Sequence, residues 1–350
     1  MEAFKKKGGQ VAAVLPIHYS RALLRAFDIL PVEVWGPPLM DSTQAGAHLQ
    51  PYVCSLVHNA LSFLKSGGLD VADYLLVPHT CDSLQGLGSI LLDFIRPQQN
   101  VFPLYLPRGQ RTEDRHYLIR ELRQLYEKLA QITQKQPDHE ALLTRIRTEE
   151  QADLLLARLY EQRQQLSLNN LNFYRLIRSR EYLPAEDFIG LAQSAMKEAK
   201  AAEKSKGTPV LLSGIVPEPM DVFQAIEEAG GLVVADDLAC CGRRLYPAGA
   251  SNDPFERLAE RLMNSPPDPT RGHSIEQREE HLLKTAEQTG AKGIIFYEVK
   301  FCEPELFDLP DLRKRLKAAG LPSVTIEIDL NDPLSNQVVT RISAFLEMVE

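Results

Sequence analysis

No run in this 350-residue chain approaches the roughly 18 consecutive apolar residues of a membrane-spanning helix. The N-terminal stretch MEAFKKKGGQVAAVLP has too short an apolar core to read as a signal peptide. Positive charge is not in excess either. Against 39 Lys and Arg stand 47 Asp and Glu, for a net charge of -8. That balance offers no electrostatic footprint for nucleic acid or for an anionic membrane surface. Five cysteines are too few for a disulfide scaffold, so the expected compartment is the reducing cytoplasm. No G-x-x-x-x-G-K-[ST] loop occurs, which excludes ATP hydrolysis by that route. Long low-complexity linkers and short-period repeats are missing too. What remains is an ordinary soluble composition, 44% apolar and 25% charged. The length suffices for two or three compact domains.

Glycine and proline are scarce in one part of the chain only. Arg111 to Lys206 is almost free of both and carries helical leucine spacing, as in Leu118, Leu122, Leu125 and Leu129. Three or more helices are expected there, broken at Gln136-Pro-Asp138 and Leu183-Pro-Ala185. Charges of alternating sign in this stretch read as a solvated helix face. On either side, short apolar runs of strand length alternate with helical patterns. Strand candidates are Gln10 to Pro16, Leu30 to Trp35, Asp73 to Pro78, Asn100 to Leu106, Pro209 to Ser213, Gly231 to Ala235, Gly293 to Val299 and Val324 to Ile328. This alternation predicts an α/β protein with two Rossmann-like parallel-sheet lobes and a helical insertion between them. The expected boundaries are 1–110, 111–206 and 207–350.

The segment from Lys292 to Asp329 reads as strand, loop, helix and strand, with Cys302 in the loop. The helix is expected over Glu305 to Ala319, with Pro310 delaying or interrupting its start. Cys81 likewise falls between the strand ending at Pro78 and a helix from Asp82 to Ile95. Cys54 follows Pro51, a residue suited to the first turn of a helix. Three single cysteines from remote segments therefore share one local context. Ligand sites of open α/β sheets form at that edge, and helix N-termini favour a thiolate.

Several chemistries use such thiols. Buried cysteines also pack as small hydrophobes. A nucleophile needs one thiol and a base, so three are excessive. Zinc prefers four ligands with a close pair, and no C-x-x-C occurs. An iron–sulfur cluster accepts thiolates from distant segments, and a cubane held by three protein ligands keeps one iron open to substrate. Spacing alone does not choose among these. His79, two residues before Cys81, is the candidate proton donor or supporting group. Cys240 and Cys241 read as a small-residue turn. Asp236 and Asp237 read as caps or cation ligands. Arg243 and Arg244 suit either the phosphates of a ligand or a salt bridge to that acidic pair. Lys300 is a candidate to counter cluster charge. Trp35 reads as a packing residue.

The wording of these segments resembles one family. FYEVKFCEPELFDLPDLRKRLKAAGLPSVTIEID and QVVTRISAF are similar to the C-terminal half of the 2-hydroxyacyl-CoA dehydratase / benzoyl-CoA reductase family. PHTCDSLQ, VCSLVHNAL, GGLVVADDLACCGRRLY and LNFYR resemble its earlier blocks. The resemblance implies a [4Fe-4S] cluster held by Cys54, Cys81 and Cys302. It implies an acyl-CoA thioester substrate, a homologous second subunit in a hetero- or homodimer, and a separate ATP-dependent iron–sulfur activator as electron donor. The implied activity is radical-type 2-hydroxyacyl-CoA dehydration or aromatic acyl-CoA reduction. Alternatives within the family are a double-cubane small-molecule reductase, which needs more cysteine ligands, and a non-catalytic cluster-binding partner. The stretch His18 to Asp28 departs from the family's N-terminal block, so the acyl group is not carried over.

Overall fold

The structure is a computed structural model in which residues 1–15, 17–199 and 206–350 are described. Pro16, the last residue of the first expected strand, and the end of the expected helical stretch at 200–205 lie outside the described residues.

Eight strands form two separate sheets, and every pairing is parallel. β1 (Gln10–Val14), β2 (Ile29–Glu33), β3 (Tyr74–His79) and β4 (Asn100–Tyr105) lie in the order β2-β1-β3-β4. β5 (Thr208–Gly214), β6 (Gly231–Leu238), β7 (Ile294–Val299) and β8 (Ser323–Ile328) repeat that order as β6-β5-β7-β8. Each sheet therefore reverses its winding once, between β1 and β3 and between β5 and β7. Crevices that hold ligands open at such switch points, beyond the carboxyl ends of the strands.

Burial on both faces explains the near-continuous apolar runs of the inner strands. β7 is buried at all six positions. In β1, Ala12 and Val14 face one core with Leu118, Leu122 and Phe255, while Ala13 faces another. That second core is shared by both sheets, taking Leu75 and Val77 from β3 and Ile295 and Tyr297 from β7. Four long helices follow β4: α1 (Thr112–Thr133), α2 (His139–Glu161), α3 (Asn170–Ser179) and α4 (Ala185–Ala199). The leucines of α1 pack on the first sheet, whereas Leu155, Leu159 and Phe173 join the shared core.

Two local expectations change. The single helix over Glu305 to Ala319 is two helices, Glu303–Leu306 and Leu309–Ala318. Pro310 removes a backbone donor, so the chain restarts with proline in a first turn, where no donor is needed. The charges of the helical stretch are not simply a solvated face. Glu149, Asp153, Arg163, Arg178 and Arg180 are buried. Arg180 pairs with Asp153 at 2.8 Å and with Glu149, and Arg178 pairs with Glu33 of β2 at 3.0 Å. Partners remote in sequence neutralise four of these charges, whereas Arg163 donates to the Val233 and Leu168 carbonyls and to Asn170 Oδ1; a helical pattern by itself reveals neither.

Gly214 ends β5 at the switch point with φ +149°. A Cβ there would land on the carbonyl oxygen of Tyr297 in the neighbouring strand. Gly214→Ala should therefore destabilise the fold by about 1–3 kcal/mol or more. A drop in the denaturant midpoint measures it, and an unchanged midpoint would refute the steric argument.

Candidate functional site

Cys54, Cys81 and Cys302 each occupy the N-cap position of a helix: Ser55–Lys65, Asp82–Ile90 and Glu303–Leu306. Cys81 and Cys302 follow β3 and β7, the equivalent strands of the two sheets. All three side chains line one cavity of about 470 Å³ of empty space, counting its open mouth. Ile17, just past β1, and Ile215, just past β5, line it too. The cavity thus draws on the loops leaving both switch points.

The walls are otherwise almost wholly apolar, with Leu56, Val57 and Leu84 beside the thiols and no charged side chain. Burial controls the cysteines. It pushes the Cys54 thiol up to about 12, against the opposing pull of the Val57 and Leu56 amides. It raises Cys81 as well, opposed by the amides of Leu84 and Ser83. Cys302 is raised furthest by burial, then by the nearby Cys54 and by Glu305 and Glu298. Without a cation the three thiols hold their protons; a bound metal centre would displace them. Among the described residues, no three His, Cys, Asp or Glu side chains are gathered tightly enough for one metal ion. The donor set nevertheless suits a polynuclear centre, in which each thiolate serves its own iron. It consists of three soft sulfurs in an apolar pocket.

A buried ionic network braces the Cys302 loop. Arg243 is fully buried and grips Asp237 through Nε and Nη2 at 2.9 and 3.0 Å. It also pairs with Glu305 and lies 3.7 Å from Asp268. Arg278 Nη2 donates to Glu305 Oε2 at 2.9 Å. Glu305 belongs to the short helix that Cys302 caps. Asp268 accepts from the amide and hydroxyl of Thr270, a cavity-lining residue, at 2.7 and 2.6 Å. His18 Nε2 donates to Asp268 at 2.9 Å, which leaves Nδ1 to accept from the Tyr246 hydroxyl at 3.1 Å. The backbone is also bent at this loop: Phe301 has φ +63°, a conformation that an aromatic residue adopts only under constraint.

The other candidate residues go elsewhere. His79 does not line the cysteine cavity. Its ring meets Tyr105 edge-on at 4.2 Å, neither nitrogen has a partner among the described residues, and burial lowers its pKa. Cys240 and Cys241 are buried with sulfurs 3.6 Å apart, outside the cavity lining. Asp236 is no cation ligand here, because it accepts from Tyr160 and Tyr174 hydroxyls at 2.6 and 2.7 Å. Arg244 is buried against Glu33 and Glu181. Both arginines are thus committed to carboxylates and not to a phosphate. Lys300 lines a different cavity, beside Tyr297 and Glu327. Trp35 is more than packing: it forms part of the cysteine cavity wall. Thr80, the residue between His79 and Cys81, also lines the cavity. Thr80 lies in the turn just past β3, where strand alternation no longer applies and no local pattern points to it.

Glu298 in β7 is fully buried, and neither carboxyl oxygen has a partner among the described residues. Burial first, then Glu305, holds its pKa well above the usual carboxylate range. A raised folded value means stability that is full below the unfolded value near 4.3 and declines as pH rises through the folded one. Stability should therefore fall as pH rises from the unfolded value toward the folded one, at up to about 1.4 kcal/mol per pH unit over part of that climb. Glu298→Gln should flatten that slope. Urea midpoints across the range test this, and equal slopes in both proteins would refute it.

Three thiols thus gather in one cavity where two parallel α/β sheets bring their switch points together. The sequence profile described as 2-hydroxyglutaryl-CoA dehydratase, D-component, matches residues 16–349, and the chain belongs to that family. It is 26% identical to the (R)-phenyllactyl-CoA dehydratase beta subunit of Clostridium sporogenes, over 99% of this chain and 94% of that one. It is 22% identical to the beta subunit of (R)-2-hydroxyglutaryl-CoA dehydratase from Acidaminococcus fermentans, over 98% and 93%. A benzoyl-CoA reductase subunit from Thauera aromatica is also 22% identical, over 97% and 91%. Among the described residues no helix is long and apolar enough to cross a membrane.

Proposed function

We propose that this chain is the iron–sulfur subunit of a low-potential, radical-type enzyme acting on an acyl-CoA thioester, either a 2-hydroxyacyl-CoA dehydratase or an aromatic acyl-CoA reductase. Cys54, Cys81 and Cys302 hold one [4Fe-4S] cluster. The observation that carries this reading is the convergence of three remote cysteines on one apolar cavity. Membership in the dehydratase family and the named activities of its relatives support it. Those relatives are named as subunits, which supports a multi-subunit complex; its further members in this proposal are a homologous second subunit and a separate ATP-dependent iron–sulfur activator.

When bound, the cluster supplies a one-electron donor with an iron position open to the thioester carbonyl. The chain's own residues do the rest. The aliphatic wall excludes water and strengthens every interaction inside it. The helix N-terminal amides steady the thiolates. The Arg243 and Arg278 network holds the Cys302 loop and Thr270 in place. Cys240 and Cys241 lie outside the lining, which favours a single cubane over a double one.

Anaerobic protein should contain about four irons and a matching amount of sulfide per chain. One Mössbauer site should shift when the right CoA thioester is added. About eight irons would point to the double-cubane branch. A cluster indifferent to every thioester would point to a non-catalytic partner. No iron after reconstitution would refute the assignment.

A further inference from the structure

Two hydrogen-bond donors in the wall of the cysteine cavity have no acceptor among the described residues. Thr80 is 3% exposed, and its hydroxyl is buried without a partner. Trp35 is 8% exposed, and its indole N–H is buried without a partner as well. Both side chains line the cavity that the three thiols line. Native proteins rarely leave buried donors unpaired, and each exception asks for an explanation. The third polar wall residue, Thr270, already gives its hydroxyl proton to Asp268. Sulfur is the acceptor that this cavity itself gathers.

Their place in the fold makes the pairing specific. Thr80 is held in a tight turn, its amide donating to Pro78 O at 3.0 Å, so its side chain is set directly before Cys81. Trp35 follows β2 and stands between the cysteine cavity and a second groove lined by Val11, Val32 and Phe63. The two side chains thus line the cavity from just past the ends of different strands.

Building on the cluster assignment above, we propose that Thr80 and Trp35 donate hydrogen bonds to sulfurs of the cluster held by Cys54, Cys81 and Cys302, and so set its reduction potential. Reduction adds negative charge to those sulfurs. A donor aimed at them stabilises the reduced form more than the oxidised one and raises the potential. With no charged side chain in the lining, these two dipoles are the main polar control that the wall supplies. They act as positioning and tuning residues, and no proton leaves either of them.

The test uses anaerobic full-length protein with iron and sulfide counted first, then the midpoint potential read by EPR-monitored titration. Thr80→Val removes the hydroxyl while keeping the shape, and should keep its iron. At the wild-type midpoint, its ratio of reduced to oxidised cluster should fall about tenfold, a downward shift of about 59 mV for one electron. Trp35→Phe should shift the potential in the same direction, and Thr80→Ser should restore the wild-type value. Unchanged potentials in iron-loaded Thr80→Val and Trp35→Phe would overturn this inference and leave the cluster assignment standing. A wild-type protein that binds no iron would overturn both. If Thr80→Val fails to load, Trp35→Phe decides alone: a lower midpoint supports the inference and an unchanged one overturns it.

Discussion

Cys302→Ser should lose most of its iron and all measurable turnover. The thiol caps a helix whose next turn is clamped by two buried arginines, so no neighbouring sulfur can swing in to replace it. Replacing a residue that merely supports a metal ligand costs about 10–100-fold in affinity or activity. Losing one of three ligands outright should exceed the upper end of that range. Cys54→Ser and Cys81→Ser should behave alike, because all three line the same cavity. Cys240→Ser and Cys241→Ser are the controls. Their sulfurs lie outside that lining, and both variants should keep wild-type iron. Full iron content and activity in Cys302→Ser would end the assignment. Iron loss in the Cys240 and Cys241 variants, with retention in Cys302→Ser, would move the cluster to another place.

Arg243→Ala should destabilise the folded protein by about 3–5 kcal/mol, the usual cost of leaving buried partners of an ion pair uncompensated. Asp237, Glu305 and Asp268 would all lose a cation in a site closed to water. Replacing Arg243, Asp237 and Glu305 together with apolar residues of similar size should recover much of that loss. Iron content should fall in the single variant, since the network fixes the Cys302 loop. Denaturant midpoints of the single and triple variants decide the point. A single variant as stable as wild type would show that the network contributes nothing net.

The same network predicts an acid limb. Asp237 sits below the usual carboxylate range, since Arg243 and Arg278 outweigh the effect of burial. Asp268 is pushed down too, by Arg243 and His18 acting against burial. Depressed carboxyls contribute stability that is full above about pH 4 and lost as pH falls toward the folded values. His18 is lowered by burial, with Asp268 opposing. Folding thus excludes a proton that the unfolded chain binds below about pH 6.5. Both effects weaken the protein in acid, and Arg243→Ala should shrink the carboxylate part.

Much of the architecture was legible from periodicity. Ser274 and Gln277, three residues apart, form a capping box at the start of the helix Ile275–Thr289. The breaks at Gln136-Pro-Asp138 and Leu183-Pro-Ala185 separate α1 from α2 and α3 from α4. The helix Pro254–Met263 starts with proline in its first turn and Asp253 as its N-cap. These features are local: a cap, a proline or an apolar stripe acts over one or two turns, so neighbouring residues suffice to reveal it. The N-cap setting of the three cysteines is of the same kind.

The buried polar groups were not legible in that way. Arg243 and Arg244 left two readings open, and only their partners chose between them. Glu305 lies 62 residues from Arg243, and Glu33 lies far upstream of Arg244 in the other sheet. Thr80 and Trp35 gave no signal, since an unpaired donor exists only relative to the cavity around it. Sequence alone determined that this is an α/β protein with single cysteines placed where strands hand over to helices. Only the tertiary structure decided that those cysteines, from segments up to 248 residues apart in numbering (302 − 54), share one apolar cavity. Local propensity acts within a few residues, whereas burial, ion pairing and shared walls depend on how two parallel sheets bring their switch points together.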